Sequence, residues 1–168
     1  MPVVETLFGP MEFADPKPKA IRFKTIKAVY ETLTVREPVG NYLNPSTRYT
    51  APSQIHDTFS FLRQETREYF FALHLDGKNR IICLDMVSQG SLNQTIVHPR
   101  DLYKTALLSS AAALILLHNH PTGDPTPSQE DIQITRRLIE AGELLGIKVL
   151  DHIIVGDRHY SFVEGGLI

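Results

Sequence analysis

Residues 111–117 (AAALILL) form an unbroken apolar run, and this run constrains the fold more than any other part of the chain. A short run in which every residue is apolar is typical of a β-strand that is buried on both faces of its sheet. It is much shorter than the roughly 18 residues that a membrane-spanning helix requires. The sequence therefore predicts a sheet that is covered by a layer of structure on each side.

Helical and strand-like patterns alternate around this strand, without the strict rhythm of a β-α-β fold. Helices are predicted over 52–62, from 98 onward and over 128–145, and strands over 68–76, 80–87 and 147–155. The residues between the first two of these strands form a hairpin signal, in which Gly77 is free to take a positive φ. We expect an α/β fold (α+β, with a mixed sheet) in a three-layer α/β/α arrangement.

The first fifty residues differ from the remainder, because they hold six of the eleven prolines. Between these prolines, residues 28–35 (AVYETLTV) are rich in β-branched and aromatic side chains, which favours one strand. We interpret residues 1–50 as a proline-rich N-terminal extension and residues 51–168 as the domain that carries the chemistry.

Composition and charge exclude several classes of protein. The N-terminus lacks the basic and then apolar pattern of a signal peptide, and the single cysteine, Cys83, excludes a disulfide framework. Both observations favour a cytoplasmic protein with no membrane partner. The formal net charge of −2 provides no strong positive field, which argues against nucleic-acid binding as the main role.

Two histidines, His118 and His120, follow the apolar run directly. Side chains two residues apart in a strand lie on the same side, so the two imidazoles can share one metal ion. Asp131 begins an apolar stripe at helical spacing that continues to Leu145, which places its carboxylate on the inward face of a helix. A buried carboxylate needs a cationic partner, and a metal ion would supply it. Two imidazoles and one carboxylate leave one tetrahedral position open, as in catalytic zinc sites.

His118-Asn119-His120, with Ser128 and Asp131 downstream, resembles the His-x-His-x7-Ser-x2-Asp signature of the JAB/MPN (JAMM motif) metalloprotease family. Further phrases resemble the RadC-like branch of that family in order and spacing: VHPR at 97–100, HNHP at 118–121 and DHIIV at 151–155. The resemblance covers about two thirds of the chain, and it implies a RadC-like, cytidine-deaminase-like JAB/MPN domain over 51–168.

The resemblance implies a role for each residue of the signature. His118, His120 and Asp131 would bind Zn²⁺, and Ser128 would polarise the scissile carbonyl group. Ser128 also has a structural interpretation, because it can cap the helix that it precedes, with Asp131 completing a capping box.

An upstream glutamate acts as general acid and base in the family. Glu65 and Glu68 are the candidates in this chain. Glu68 is favoured, because Glu68-Tyr69-Phe70 fits the Glu-x-Phe pattern that opens the hairpin strand in the family. Glu65 lies earlier, where the helical pattern can still continue.

His152 also has two interpretations. It lies in the predicted strand over 147–155, where it can hydrogen-bond to a metal ligand. Alternatively, it forms a satisfied pair with its neighbour Asp151 within the core.

The resemblance implies an enzyme, a zinc metallopeptidase or isopeptidase that hydrolyses a peptide or isopeptide bond with a zinc-bound water activated by the glutamate. Its partner would be a peptide or a ubiquitin-like protein. The alternatives are a DNA-repair-associated RadC-like protein that binds nucleic acid and a non-catalytic MPN scaffold. The near-neutral charge argues against the first, as does the lack in residues 1–50 of the helix-hairpin-helix pattern of full-length RadC-like proteins. The sequence leaves the substrate and the oligomeric state open.

Overall fold

The computed structural model describes residues 3–6, 9–12, 29–30, 48–90 and 97–168. The chain divides into two compact units, residues 1–30 and residues 31–168. None of the helices in the described ranges is long and apolar enough to cross a membrane.

The first unit contains a small antiparallel hairpin, formed by β1 (Val3–Thr6) and β2 (Gly9–Glu12). Gly9 begins the second strand with a φ of +101°, a conformation that glycine adopts without steric cost. The strand predicted over 28–35 lies outside the described residues except for Val29 and Tyr30, which belong to no strand.

The second unit contains a five-stranded mixed sheet in the order β4-β3-β5-β6-β7. Its elements, in chain order, are α1 (Pro52–Thr58), a 3₁₀ helix (Ser60–Gln64), β3 (Tyr69–Leu75), β4 (Ile81–Gln89), α2 (Pro99–Leu108), β5 (Ala113–Asn119), α3 (Gln129–Leu145), β6 (Lys148–Val155) and β7 (His159–Ser161). Only β5 and β6 pair in parallel, and α3 connects them; the other neighbouring strands are antiparallel. The predicted α/β fold with a mixed sheet is confirmed.

The side chains of β5 alternate between two apolar clusters, one on each face of the sheet. On one face, Leu114 packs in a cluster with Leu102 of α2 and Leu138 of α3. On the other face, Ile115 packs in a cluster with Leu62 of the 3₁₀ helix and with Ile55 of α1. All seven residues of β5 are buried. The prediction of a strand covered on both faces, in a three-layer α/β/α arrangement, is therefore confirmed.

The turn between β3 and β4 differs from its prediction. The residue with a positive φ is Asn79, at 59°, and not Gly77. The carboxylate of Asp76 organises this turn, because its Oδ1 accepts hydrogen bonds from the backbone N–H groups of Lys78 and Arg80 at 2.8 and 3.0 Å. The N–H of Arg80 has the largest effect on the pKa of Asp76, and together with a hydrogen bond of 2.7 Å from the Arg80 guanidinium and the N–H of Lys78 it lowers that pKa to about 2. The hairpin is closed by an aspartate side chain and does not depend on the freedom of glycine.

Two helices also differ in detail from their predictions. The helix predicted over 52–62 is interrupted at Phe59, where α1 ends and the 3₁₀ helix follows. The apolar stripe of α3 does not reach Leu145, which is 45% exposed. Leu138 of the predicted stripe is buried, and Ile134 and Ala141 are partly buried against the same cluster, so the prediction is wrong only in the last turn of the helix.

Gly142 marks the closest approach of α3 to its neighbours. A Cβ atom at this position would collide with the carbonyl oxygen of Ile147 and the hydroxyl oxygen of Tyr103. That hydroxyl is held in place, because it donates a hydrogen bond of 2.6 Å to the carbonyl oxygen of Leu138. Neither oxygen can move away without losing a buried contact.

We expect Gly142→Ala to lower the free energy of unfolding by about 2 kcal/mol, as overpacking of a filled site does. At a solvent-exposed position inside a helix the same substitution would instead raise stability, because alanine has a higher helix propensity than glycine. Chemical denaturation measures the effect. Gly77→Ala is the control and should be nearly neutral, since nothing lies within 4 Å of an added Cβ there. Equal stability of the two variants would contradict the close packing at Gly142.

Candidate metal centre

Three side chains with ligating atoms meet where β5 ends and α3 begins. His118 is the penultimate residue of β5, His120 follows that strand, and Asp131 lies in the first turn of α3. The two histidine Nε2 atoms are 3.0 Å apart. Asp131 carboxylate oxygens lie 3.2 Å from Nε2 of His118 and 3.4 Å from Nε2 of His120. In the described part of the chain, no other three His, Cys, Asp or Glu side chains bring their ligating atoms so close.

Asp131 is held in position by the N-terminus of its own helix. Ser128 is the N-cap residue, and its Oγ accepts a hydrogen bond of 3.1 Å from the backbone N–H of Asp131. Its hydroxyl and its backbone N–H in turn donate to Oδ2 of Asp131, at 2.6 and 2.8 Å. The predicted capping box is confirmed. The partial positive charge of the helix N-terminus further stabilises the carboxylate.

The loop over 121–127 joins the two histidines to α3 and is fixed to the end of the sheet. Its entry is held by a hydrogen bond of 3.0 Å from the backbone N–H of His120 to the carbonyl oxygen of Val155. Its centre is held by a bond of 2.7 Å from the N–H of Asp157 to the carbonyl oxygen of Gly123. The loop therefore presents its ligands from a fixed backbone.

The ligand cluster carries a localised negative charge. Burial alone would raise the pKa of Asp131, but the ring nitrogens of His118 and His120, which donate hydrogen bonds to it whenever their Nε2 atoms are protonated, outweigh burial and hold the pKa of this carboxyl well below its ordinary value. Burial alone would lower the pKa of His120, but hydrogen bonds to Asp131 and to the carbonyl of Asp124, together with the charges of Asp131 and Glu68, raise it. The ionised carboxylate therefore favours a cation, either a proton or a metal ion, between the histidines.

The donor atoms fit a zinc ion in type and in spacing. Nδ1 of His120 lies 2.7 Å from the carbonyl oxygen of Asp124. Since a carbonyl oxygen only accepts, Nδ1 carries the hydrogen, and in the neutral ring Nε2 presents a lone pair to His118 and Asp131. Zinc binds nitrogen and carboxylate ligands at about 2.0–2.2 Å, so tetrahedral neighbours stand about 3.3 Å apart. The two Nε2 atoms are 3.0 Å apart, and each lies close to a different oxygen of Asp131, at 3.2 Å (Oδ1) and 3.4 Å (Oδ2), so each contact is of the size that tetrahedral zinc requires.

The two candidate glutamates lie in different surroundings. Glu68 precedes β3 directly and is half-buried, whereas Glu65 is exposed at the end of the 3₁₀ helix. The charge of Glu68 contributes to the raised pKa of His120. Its carbonyl oxygen accepts a hydrogen bond of 2.9 Å from the N–H of Gly90, which anchors this part of the backbone to the end of β4.

Asn119, between the two histidines, has a role that the sequence analysis did not identify. It is fully buried, and its Oδ1 accepts a hydrogen bond of 2.8 Å from the N–H of Tyr69. Its Nδ2 donates to the carbonyl oxygens of Arg67, at 3.0 Å, and Leu62, at 3.1 Å. These bonds hold the backbone on both sides of Glu68. The sequence does indicate such a role, because Asn119 follows a buried apolar strand and a buried amide requires several hydrogen-bond partners.

His152 lies behind His118 and is fully buried. Its Nε2 is 2.8 Å from Nδ1 of His118, and its Nδ1 is 2.6 Å from the hydroxyl oxygen of Thr135. Burial holds the pKa of His152 well below its ordinary value. The side chain of Asp151 accepts hydrogen bonds from Ser161, from Tyr49 and from the backbone N–H of His152, whereas both ring nitrogens of His152 bond to other residues. Of the two interpretations of His152, the structure therefore supports the hydrogen bond to His118.

Comparison with known proteins gives a consistent set of matches. A family model described as "RadC-like JAB domain" matches residues 49–167. A UPF0758 protein of Pelobacter propionicus is 63% identical over 131 residues, which cover 77% of this chain and 57% of that protein. UPF0758 proteins of Geotalea uraniireducens and Geobacter sulfurreducens are 61% and 58% identical, over 72% and 73% of this chain and 54% and 55% of their own. The chain spans about half the length of these curated relatives.

Asn119→Asp tests how strongly the structure depends on the buried amide. The variant keeps an acceptor for the N–H of Tyr69 but turns an oxygen toward two carbonyl oxygens. We expect the free energy of unfolding to fall by about 3 kcal/mol, because a buried charge would lack donors. Urea denaturation measures the change. Asn79→Asp is the same chemical change at an exposed turn and should alter stability by less than about 0.5 kcal/mol. An Asn119→Asp variant as stable as this control would show that the amide donors are dispensable.

Proposed function

The chain belongs to the RadC-like JAB domain family, and from that premise we propose that it is a zinc-dependent metallopeptidase or isopeptidase, a hydrolase of peptide or isopeptide bonds. The observation that carries the proposal is the convergence of ligating atoms of His118, His120 and Asp131, all within 4.8 Å of one another. Two imidazoles and a carboxylate are the protein ligands of hydrolytic zinc sites with one open position.

His118, His120 and Asp131 would hold the zinc ion, and the fixed loop and the capped helix support this assignment because they orient all three side chains. Bound there, zinc would supply Lewis-acid chemistry, lowering the pKa of water to about 7 and polarising a carbonyl group. The half-buried position of the ligands would shield this chemistry from bulk solvent and so strengthen its electrostatics.

Glu68 would be the general base. It would accept a proton from the attacking water and return the proton to the leaving amine. Three observations support this role: Glu68 directly precedes β3, its charge contributes to the raised pKa of His120, and Asn119 anchors the backbone of the residues on both sides of it. Glu68 does not belong to the cluster of converging ligands, as expected of a base that is not itself bound to the metal.

Ser128 would donate a hydrogen bond to the carbonyl oxygen as negative charge develops on it. Capping and catalysis use different parts of its hydroxyl group. The lone pair accepts the N–H of Asp131, which caps the helix, whereas the proton points at Oδ2 of Asp131, 2.6 Å away. Rotation of the O–H bond would direct that proton to a substrate and leave the cap intact.

We propose a peptide or a ubiquitin-like protein as the substrate. Among the described strands, β4 is the first in the order of the five-stranded sheet, next to β3. Ser88 near its end is in register with Phe70 of β3, which is in register with His118. An extended peptide bound beside the end of β4 would therefore lie at the level of the metal ligands.

The decisive experiment measures zinc content and peptide hydrolysis in the same preparations. We expect about one zinc per chain, as a site with three protein ligands implies. Glu68→Gln should keep its zinc and its stability but lose on the order of 10²-fold in turnover, since it removes only the proton transfer. His118→Ala should lose zinc and activity together, because two protein ligands hold zinc poorly.

Glu65→Gln is the matched control for this experiment and should behave as the wild type. Turnover is assayed with a fluorogenic peptide and with a ubiquitin-like fusion protein. Absence of bound zinc after incubation with the metal would overturn the proposed function. Normal turnover in Glu68→Gln, or its loss in Glu65→Gln, would overturn the assignment of the base while leaving the metal ligands in place.

The two roles of Ser128 can be separated, because glycine is tolerated at an N-cap. Ser128→Ala should cost about 1 kcal/mol of stability and Ser128→Gly only a few tenths. If the hydroxyl proton acts on the carbonyl, both variants should lose turnover equally, on the order of 10²-fold. Ser128→Thr keeps the hydroxyl and should keep activity. Wild-type turnover in Ser128→Gly would restrict this residue to capping.

A further inference from the structure

A continuous chain of hydrogen bonds runs behind the metal ligands, from the backbone of Asp131 to the ring of His118. The hydroxyl oxygen of Thr135 lies 2.5 Å from the carbonyl oxygen of Asp131 and 2.6 Å from Nδ1 of His152. Nε2 of His152 lies 2.8 Å from Nδ1 of His118. Thr135 and His152 are fully buried, and His118 is 3% exposed. No solvent can therefore replace any of these contacts.

The direction of each hydrogen bond follows from the first one. The carbonyl oxygen of Asp131 can only accept, so Thr135 donates its single hydroxyl proton to it. Thr135 must then accept from Nδ1 of His152, which therefore carries a hydrogen. A neutral imidazole has one N–H group, so Nε2 of His152 is an acceptor. His118 must then donate from Nδ1, and its own Nε2 is left with a lone pair that faces His120 and Asp131.

The neutrality of His152 follows from its surroundings. Its ring stacks on Phe162, with centroids 4.7 Å apart, and lies 5.3 Å from the ring of Phe70. Its two nitrogens contact a hydroxyl group and another imidazole, and neither is an anion. A buried imidazolium without a carboxylate partner would be costly. The aromatic packing also prevents the ring from turning to a different set of partners.

We propose that Thr135 and His152 form a relay that fixes the tautomer and ring orientation of His118, so that its Nε2 lone pair is directed at the metal position. Both are positioning residues, since they act through His118 and touch neither metal nor substrate. The inference rests on the proposed function in its use of zinc, but the proton arrangement itself follows from the fold.

The relay also connects two ligands through the protein. It begins at the backbone of Asp131 and ends at the ring of His118, and these two residues meet again across the candidate site, with Oδ1 of Asp131 3.2 Å from Nε2 of His118. The four residues thus form a closed ring. A buried partner of this kind determines which nitrogen of a histidine is free to bind metal, and loss of such a partner typically weakens metal affinity 10–100-fold.

The first test requires no mutation. Long-range ¹H–¹⁵N correlation spectra of the full chain, recorded without zinc, report which nitrogen of each histidine carries the hydrogen. We expect Nδ1–H in both His152 and His118. Nε2–H in His152 would overturn the relay whether or not the protein binds zinc, so this result is independent of the proposed function.

The second test measures zinc affinity by competition with a chromophoric chelator. Thr135→Val removes the hydroxyl with little change of shape and should weaken zinc binding 10–100-fold. Thr135→Ser restores the hydroxyl and should restore the affinity. Thr105→Val is the control, because the hydroxyl of Thr105 in α2 also bonds within the protein, to Oδ2 of Asp85 at 2.6 Å and to the carbonyl oxygen of Leu102 at 3.0 Å, but lies outside the relay. Its zinc affinity should equal that of the wild type.

The outcomes separate the relay from a purely structural effect of Thr135. Weak zinc binding in Thr135→Val, together with a mixture of His118 tautomers in its spectra, supports the relay. Wild-type zinc affinity in a folded Thr135→Val variant overturns it, as does equal weakening in Thr105→Val. If Thr135→Val does not fold, the tautomer of wild-type His152 decides the question.

Discussion

The burial of β5 on both faces is the constraint on which the rest of the structure depends. Two polar residues lie at the end of this strand, His118 and Asn119, and each must find its partners within the protein. Alternation sends His118 toward α3 and Asn119 toward the 3₁₀ helix and the segment before β3. The end of this strand thus places the candidate ligand His118 on one face of the sheet, while Asn119 on the other face holds the backbone around Glu68.

Local signals were sufficient to predict most of the fold and the three converging side chains. The uniformly apolar run predicted the buried strand, and Ser128 and Gly146 are caps that mark the ends of α3 within its own sequence. The pairing of His118 with His120 follows from the period of a strand, and the inward position of Asp131 follows from the phase of a helix. Each of these inferences requires only residues that are close in sequence.

The residues that sequence reasoning missed depend on contacts that are distant in sequence. In the sequence, nothing distinguishes Thr135 from other residues of α3. Its role depends on its contact with His152 of β6, which is distant in sequence. Asn119 occupies the variable position of the histidine motif, and its partners come from the segment around Arg67. Similarly, Gly77 was the stronger turn signal, but the Asp76 side chain closes that turn. In each case a side-chain hydrogen bond, which no periodicity encodes, decided the outcome.

The loop over 121–127 is tied to the end of the sheet by backbone hydrogen bonds that involve His120 and Gly123. Its conformational entropy is therefore lost when the domain folds, and little remains to be lost on metal binding. Zinc fingers differ, because their folding free energy comes from the metal itself. Here two apolar clusters pack the sheet against its helices. In the proposed zinc enzyme, loading and release of the ion would accordingly be a binding equilibrium separate from folding, so that the protein would stay folded when the ion leaves.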